Sequence, residues 1–443
     1  MAIRAGRLGN IAFKKEDAYG SYNAGDAMWR ASSESLENKI ENVEDNALIG
    51  ELYPTEFIPV KEGVEGSLEG SFHGDTAGLI LHGILGTDVT ADANTAYLLI
   101  SYSGAATYER ISCTGSALIA ETSTNGTTWG ADTAFCSTGT MDLTTGAFDT
   151  VGEVATAIAA YTGFDAIAFG PTGTLTSTIA AFAAVNLITN DVKVGGKLIP
   201  VVGTASTLAK THNLSPAAAS VSLPSYTFTI NRVLGTNKSV GVIGSKFKSV
   251  AISNAAGDLC KVNVAVDAQQ ELQDQNDVSV SVPNIQAFTC LNMKAVIEDA
   301  TGALTELDEL KDFSLTINAN LDSNWVIGSK YKKEQDRQKS TIEFSCTANN
   351  TATSYPLRTN YLNSTACSLY VYWKSNTYAD VSKSVPYSVM VRIPAFKFNS
   401  APSTLSTPDR MTIKFGGSAE KPTNATYTNH IYVSVVDADT TTY

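Results

Sequence analysis

The sequence predicts a mainly β protein: a β-sandwich plugged by one short helix and interrupted by an inserted α+β unit. Three observations lead there. Apolar and polar residues alternate with period two in segment after segment, the pattern of strands with one dry and one wet face. Only 17% of the 443 residues are charged, below the ~25% of an average globular chain, so Ser, Thr, Asn and Gly must supply the polar surface. The longest apolar run, Ile179 to Ile188, is far short of the ~18 residues of a membrane helix.

By texture the chain divides into 1–86, 87–205 and 206–443. In the first part Val64, Gly66, Leu68, Gly70 and Phe72 share one strand face, and Glu65, Ser67, Glu69 and Ser71 share the other. A helix follows, with Asp75 as N-cap, an apolar stripe of Leu79, Ile80, Ile84 and Leu85, and Gly86 at the left-handed stop. In the Ala-, Thr- and Gly-rich middle part, Tyr97–Tyr102 and Tyr108–Cys113 read as strands. Thr150 and Glu153 form a capping box ahead of Val151, Val154, Ala155 and Ile158. This block reads as an insertion into the surrounding β-domain.

The last part is a series of strands. Tyr226, Phe228 and Ile230 alternate with Thr227, Thr229 and Asn231. Lys248, Val250 and Ile252 lead into the turn Asn254-Ala255-Ala256-Gly257, and Cys260, Val262, Val264 and Val266 return from it as a hairpin. Further strands are centred on Leu315, Phe344, Val371, Val391 and Val433. No fixed-period repeat is present, which excludes solenoids and propellers.

Lys and Arg number 31 against 44 Asp and Glu, a net charge of −13. That balance argues against sequence-specific nucleic-acid binding, which needs clustered cations. Met1 to Asn10 holds Arg4 and Arg7 but no apolar core, so no cleaved leader is expected. Six cysteines contain no CxxC pair, which gives no support to a zinc or redox motif. Most read as buried thiols, with a Cys113–Cys136 bridge left open. His73, His82, His212 and His430 are dispersed, and His73 and His82 read as packing or surface groups. No nucleophile elbow or phosphate loop is present. Asp308 and Glu309 read as solvated acids, since neighbours on alternate sides of a strand cannot face one cleft. Trp29, Trp325 and Trp373 read as core or interface residues. Neither catalysis nor a cofactor is expected.

The order of these segments resembles the tail tube proteins of long-tailed bacteriophages. "KKEDAYGSYNAGDAMWRASSESLENKIENVEDNALIGE" is similar to the family's opening, with a Tyr-Gly turn, a strand and the segment Ser33 to Leu36. "VEGSLEGSFHGDTAGLILHGILG" resembles its Gly-rich strand and single helix. "SLPSYTFTI", "GSKFKSVAISNAAGDLCKVNVAVDAQ" and "DFSLTINANLD" resemble the strands that follow. The resemblance covers roughly residues 10–86 and 208–325; block 87–205 is a departure from it.

The resemblance implies two packed antiparallel sheets flanked by a helix, in a structural virion protein of the tail, made in the host cytoplasm. It implies six-membered rings stacked around a tape-measure protein, capped by tail terminator and distal tail proteins, with DNA passing through unbound. A bore that does not hold DNA must lack free cations, and Glu65 and Glu69 are the residues expected to line it. An ordinary solvated strand face is the alternative. The loop Lys330 to Lys339, with Lys330, Lys332, Lys333, Asp336 and Arg337, is expected to set ring-to-ring register, or else to be a solvated hairpin tip. Asp308, Glu309 and Asp312 are candidates for the opposing charge. Tyr19 and Tyr22, in the opening turn, are stacking residues by resemblance. The inserted block is expected outside the tube, which favours a tail without a sheath. The competing reading is a carbohydrate-binding adhesin or capsid decoration protein with a β-sandwich fold.

Overall fold

The computed structural model describes residues 10–45, 56–190, 192–203, 205–232, 238–351, 357–404, 411–422 and 427–443. Residues 1–9, where no leader is expected, lie outside the described residues. Strands dominate. The first part holds β1 (Asn10–Lys15), β2 (Ala27–Trp29), β3 (Ala31–Glu34), β4 (Glu37–Asp45), β5 (Glu56–Ser71), helix α1 (Gly74–Leu85) and β6 (Gly86–Asp92).

The inserted unit follows. It comprises β7 (Ala96–Tyr102), β8 (Tyr108–Cys113), β9 (Ala117–Ser123), β10 (Gly130–Ala131), β11 (Thr140–Asp142), α2 (Val151–Ala159), β12 (Phe164–Phe169), β13 (Phe182–Thr189), β14 (Val192–Lys193) and β15 (Lys197–Val201). Two small antiparallel sheets result, β10-β9-β8-β13-β14 and β12-β7-β15. Ile111, Leu118, Phe135, Val154 and Ile158 belong to a core drawn wholly from residues 96–201. The Thr150–Glu153 capping box forms with both reciprocal bonds in place.

The chain returns through β16 (Lys210–Pro216), β17 (Tyr226–Asn231), β18 (Ser239–Ala255), β19 (Lys261–Ala268), β20 (Gln270–Gln275), β21 (Met293–Glu298), β22 (Leu304–Glu306) and β23 (Leu310–Asn318). After the short pair β24 (Leu321–Asp322) and β25 (Asp336–Arg337) come β26 (Thr341–Asn349), helix α3 (Leu357–Leu362), β27 (Cys367–Asp380), β28 (Val385–Ser400), β29 (Ser403–Thr404), β30 (Thr412–Ala419) and β31 (Tyr432–Asp437). Among the described residues every ladder between these strands is antiparallel, and one isolated parallel bridge joins Glu62 to Tyr331. One layer runs β5-β19-β18-β23-β26-β30. The other runs β21-β27-β28-β31-β16-β6. The 16-residue β28 joins them, pairing with β31 through Ser388–Arg392 and with β30 through Phe396–Ser400.

Period two decides what each face meets. In the first layer Leu68, Val264, Val250, Ile317 and Ile342 lie in one cross-strand row, all turned to the core. In β27 of the second layer, Leu369, Val371 and Trp373 enter that same core. The alternate Tyr370 and Tyr372 point outward, onto Tyr97, Leu99 and Phe169 of the inserted unit. The inserted unit is thus docked on the outer face of the second layer, with the whole sandwich between it and the solvent face of the first. A polar pin adds to the dock: Glu298 accepts the Gly196 N–H at 2.8 Å and the Tyr370 hydroxyl at 3.0 Å. Arg392 donates to the Gly196 carbonyl at 2.8 Å.

Helix α1 closes the sandwich, and three glycines let aromatic rings reach its axis. A Cβ at Gly74 would strike Tyr387, one at Gly78 would strike Tyr443, and one at Gly83 would come within 2.4 Å of Phe247. Gly86 takes the left-handed stop at φ 91°. The N-cap is His73, without a side-chain bond, and not Asp75 as the sequence suggested. Asp75 lies inside the first turn, where Arg30 binds both its carboxylate oxygens, at 2.7 and 2.8 Å. All six cysteines are free, so no Cys113–Cys136 bridge forms.

Gly83→Ala tests the helix packing. Helix propensity alone would stabilise it by about 1 kcal/mol; the clash with Phe247 costs about 1–3 kcal/mol. A lower melting temperature is expected by calorimetry, and a higher one would show that the ring moves aside freely.

Candidate assembly surface

The solvent face of the first layer is built by the same alternation that fills the core. Across six strands one row reads Glu69, Asn263, Ala251, Thr316, Glu343, Ser418. The next reads Ser71, Lys261, Ser253, Ser314, Ser345, Gly416, and a third, over five strands, reads Ser67, Ala265, Ser249, Asn318, Thr341. Six strands at ~4.8 Å spacing make a face ~24 Å wide. Within these rows only Glu69, Glu343 and Lys261 carry charge, and Lys261 is paired with Asp258 at 2.8 Å. The face is a field of small hydroxyl and amide groups.

Glu65, one row beyond Ser67, is treated differently. Its two oxygens meet Lys39 at 3.0 Å and Lys332 at 3.1 Å. The Lys39 hydrogen bond, opposed by partial burial and helped by Lys332, holds its carboxyl below the usual range. Lys332 also pairs with Asp267 and lies over the Trp325 ring at 5.1 Å. Sequence reading put Lys332 on an exposed loop; its side chain is 2% exposed. The reason is local: two carboxylates on neighbouring strands, Glu65 opposite Asp267, create a buried demand for one cation. Lys246 does the same nearby, reaching Glu334 at 3.0 Å and the Gln335 carbonyl at 2.8 Å. These two lysines fasten the 330–339 loop to the sheet, while Lys330, Lys333 and Asp336 stay exposed. Lys330 pairs with Glu62 at 2.7 Å, and Arg337 donates to the Ala217 carbonyl.

The opening turn joins this loop. Tyr19 donates to the Lys333 carbonyl at 3.3 Å, and its ring lies under Lys246. Tyr22 instead meets the Thr229 hydroxyl at 3.4 Å. Tyr19, Lys332, Lys333 and Glu65 thus fall in one region; Glu69, which accepts from Ser33 at 3.4 Å, stands apart on the open face.

At the same end, β4 and the start of β5 leave the body as a two-stranded ribbon. Among the described residues β4 pairs with β5 alone. Ile40, Val43, Phe57, Ile58 and Val60 on this ribbon are 38–58% exposed. Such a ribbon is marginal by itself, and so many large apolar side chains in one place mark a contact surface.

Sequence reasoning missed one polar cluster. His212 holds Asp88 at 2.8 Å and Asp437 at 3.4 Å through its two ring nitrogens, and stacks on Tyr443 at 4.1 Å. Tyr443 returns its N–H to Asp88 at 3.0 Å. The His212 and Asp88 side chains are fully buried, so no substrate reaches them and the cluster ties β6, β16 and β31 together. The three groups are far apart in sequence and only strand pairing unites them. Among the described residues no three His, Cys, Asp or Glu converge as metal ligands, and no helix is long and apolar enough to cross a membrane.

An extended sheet with one dry and one wet face, edged by a ribbon whose large apolar side chains stand exposed among the described residues, is the architecture of a structural β-protein. Comparison with known families is specific: the phage tail tube protein family matches residues 6–419. The chain belongs to that family. Membership makes it a structural component of the virion tail that assembles with itself into a tube. A search of curated proteins gives no match.

The His212 cluster sets a pH dependence. Burial opposes its charge, but hydrogen bonds to Asp437 and Asp88 outweigh burial and raise its pKa to about 10. A pKa raised on folding gives stability that is whole below ~6.5 and fades as pH rises towards 10. His212→Gln is expected to lose about 3–5 kcal/mol at pH 6, the cost of breaking a buried pair, with the gap to wild type closing between pH 6.5 and 10. A pH-independent gap in denaturant titrations would refute the assignment.

Proposed function

We propose that this protein closes into rings of six that stack into a sheathless tail tube, with the solvent face of the first layer turned to the bore. The exposed apolar ribbon of β4 and β5 carries the reading: in a self-assembling family, a second copy is the surface that covers it. The hydroxyl-rich face supports the placement of the bore. Phosphates passing along it meet Glu69 and Glu343 and, in those rows, a single lysine already held by Asp258, so DNA finds little to grip. Glu65 borders this face at the edge covered by the 330–339 loop. Lys330 meets Glu62 of the ribbon strand and Tyr19 meets Lys333; these residues, with Tyr22, Asp336 and Arg337, are assigned to ring-to-ring contacts, and Lys332 braces the loop from beneath. The inserted unit, on the far side of the sandwich, then faces outward. A tape-measure protein fills the bore before DNA does, and terminator and distal tail proteins cap the ends.

Electron microscopy of the purified protein is expected to show rings or tubes. Phe57→Glu combined with Ile58→Lys should leave single, folded subunits by light scattering and circular dichroism. Tubes assembled by the double variant as readily as by wild type would overturn the role given to the ribbon.

A further inference from the structure

The ladders of the sandwich occur twice. In the first half of the chain β1 pairs with β2 and β17; in the second, β21 pairs with β22 and β27. β18 pairs through its first half with β17 and β20, and through its second half with β19. β28 does the same, first with β27 and β31, then with β30. β19 continues to β5, which leads into α1, and β30 continues to β26, which is followed by α3. Beyond β5 lie β3 and β4, and beyond β26 lies β23. The sandwich is thus two units of one strand plan. The first is interrupted between α1 and β17 by the inserted block, where the second has only residues 363–366 between α3 and β27. An interruption in one half alone hides the repeat from any search for a fixed period.

The two units meet edge to edge. The second half of β18 pairs with β23, Ser249–Ala255 lying antiparallel to Asn318–Asp312. The same two kinds of edge recur at the ends of the sheet. Among the described residues, β28 from Lys397 to Ser400 has β30 on one side and no strand on the other. Likewise, β3 and β4 have β5 on one side and no strand on the other. From β3 and β4 through β5, β19, β18, β23, β26 and β30 to β28, each strand runs opposite to its neighbour. The two outermost strands therefore point in opposite directions, as antiparallel pairing requires. An open edge is a template for another strand.

We propose that the β18–β23 joint is repeated between chains, the second half of β28 in one copy pairing antiparallel with β3 and the start of β4 in the next. The partner is a second copy because the chain already builds this contact between its own equivalent edges, and its family assembles with itself. Each copy offers one edge of each kind, so the contact is head to tail and can close a ring. The inference rests on the ring reading above and names the backbone edges that meet, whatever the number of copies. The joint also extends the hydroxyl-rich face. Lys397 continues the row of Glu69, Glu343 and Ser418 and is held by Glu420 at 3.3 Å, so the edge brings no unpaired cation to the bore.

Ser32 and Asn399 provide the test. Both are exposed, and each falls at a register shift in its own ladder, a place where an edge strand tolerates proline. Ser32→Pro and Asn399→Pro are each expected to keep the wild-type circular dichroism spectrum and to lose assembly at concentrations where wild type forms rings or tubes. Mixed in equal amounts, the variants retain one intact edge of each kind and should give one-to-one pairs, and nothing larger, by native mass spectrometry. Either variant assembling as wild type does would overturn the joint and leave the ring reading standing, as would a mixture of folded variants that forms no pairs. A wild-type chain that never assembles overturns both. Should a variant fail to fold, hydrogen exchange on wild type decides. Backbone amides in 31–39 and 397–400 are expected to exchange more slowly in tubes than in single subunits, and equal rates refute the pairing.

Discussion

The period-two register of the first layer is the constraint on which the rest depends. Leu68, Val264, Val250, Ile317 and Ile342 face inward because Ser67, Ala265, Ser249, Asn318 and Thr341 face outward. A slip of one residue in any strand would put hydroxyls in the core and valines in water. The core and the open face are therefore two readings of one pattern. The second layer uses the same device differently: its outward residues are aromatic, and the inserted unit covers them.

Charges inside the sandwich act as pins. Lys332 and Lys246 draw a long charged loop onto the sheet, His212 joins three strands, and Glu298 with Arg392 holds Gly196 of the inserted unit. Each replaces water by directed partners, and removing one partner costs more than the pair contributes. Pinned loops keep their shape, so any contact made through them gives up less conformational freedom.

How much of this the sequence revealed depended on distance along the chain. The β18–β19 hairpin, β23, β26 and the capping box of α2 were legible because alternation and local capping are short-range. The hairpin's turn, however, was placed too early: β18 runs on through Asn254 and Ala255, which pair with Phe313 and Asp312, and the chain turns at Ala256 and Gly257. β17 was only half legible. Thr227 and Thr229 alternate with aromatics as a wet face would, yet both are buried under the opening turn, where Thr227 donates to Glu16 at 3.0 Å and Tyr22 meets Thr229. The helix after β5 was visible, but Asp75 was misplaced as its cap, because Arg30 lies 45 residues away. Of the proposed surface residues, the exposed ones could be read from charge. The burial of Lys332 could not, since Asp267 and Glu65 meet it only through strand pairing and the path of the loop.

The inserted unit leaves and re-enters the sandwich through β6 and β16, which lie side by side with Asp92 opposite Lys210. Its two ends are held a single strand spacing apart by the host's own ladder. What lies between can differ in size without parting the two strands, provided that it still covers Tyr370 and Tyr372 and meets Glu298 and Arg392. The entropic cost of closing a longer excursion grows only slowly with its length. A change in the length of that excursion therefore asks of the host only these two paired strands and the dock on its second layer.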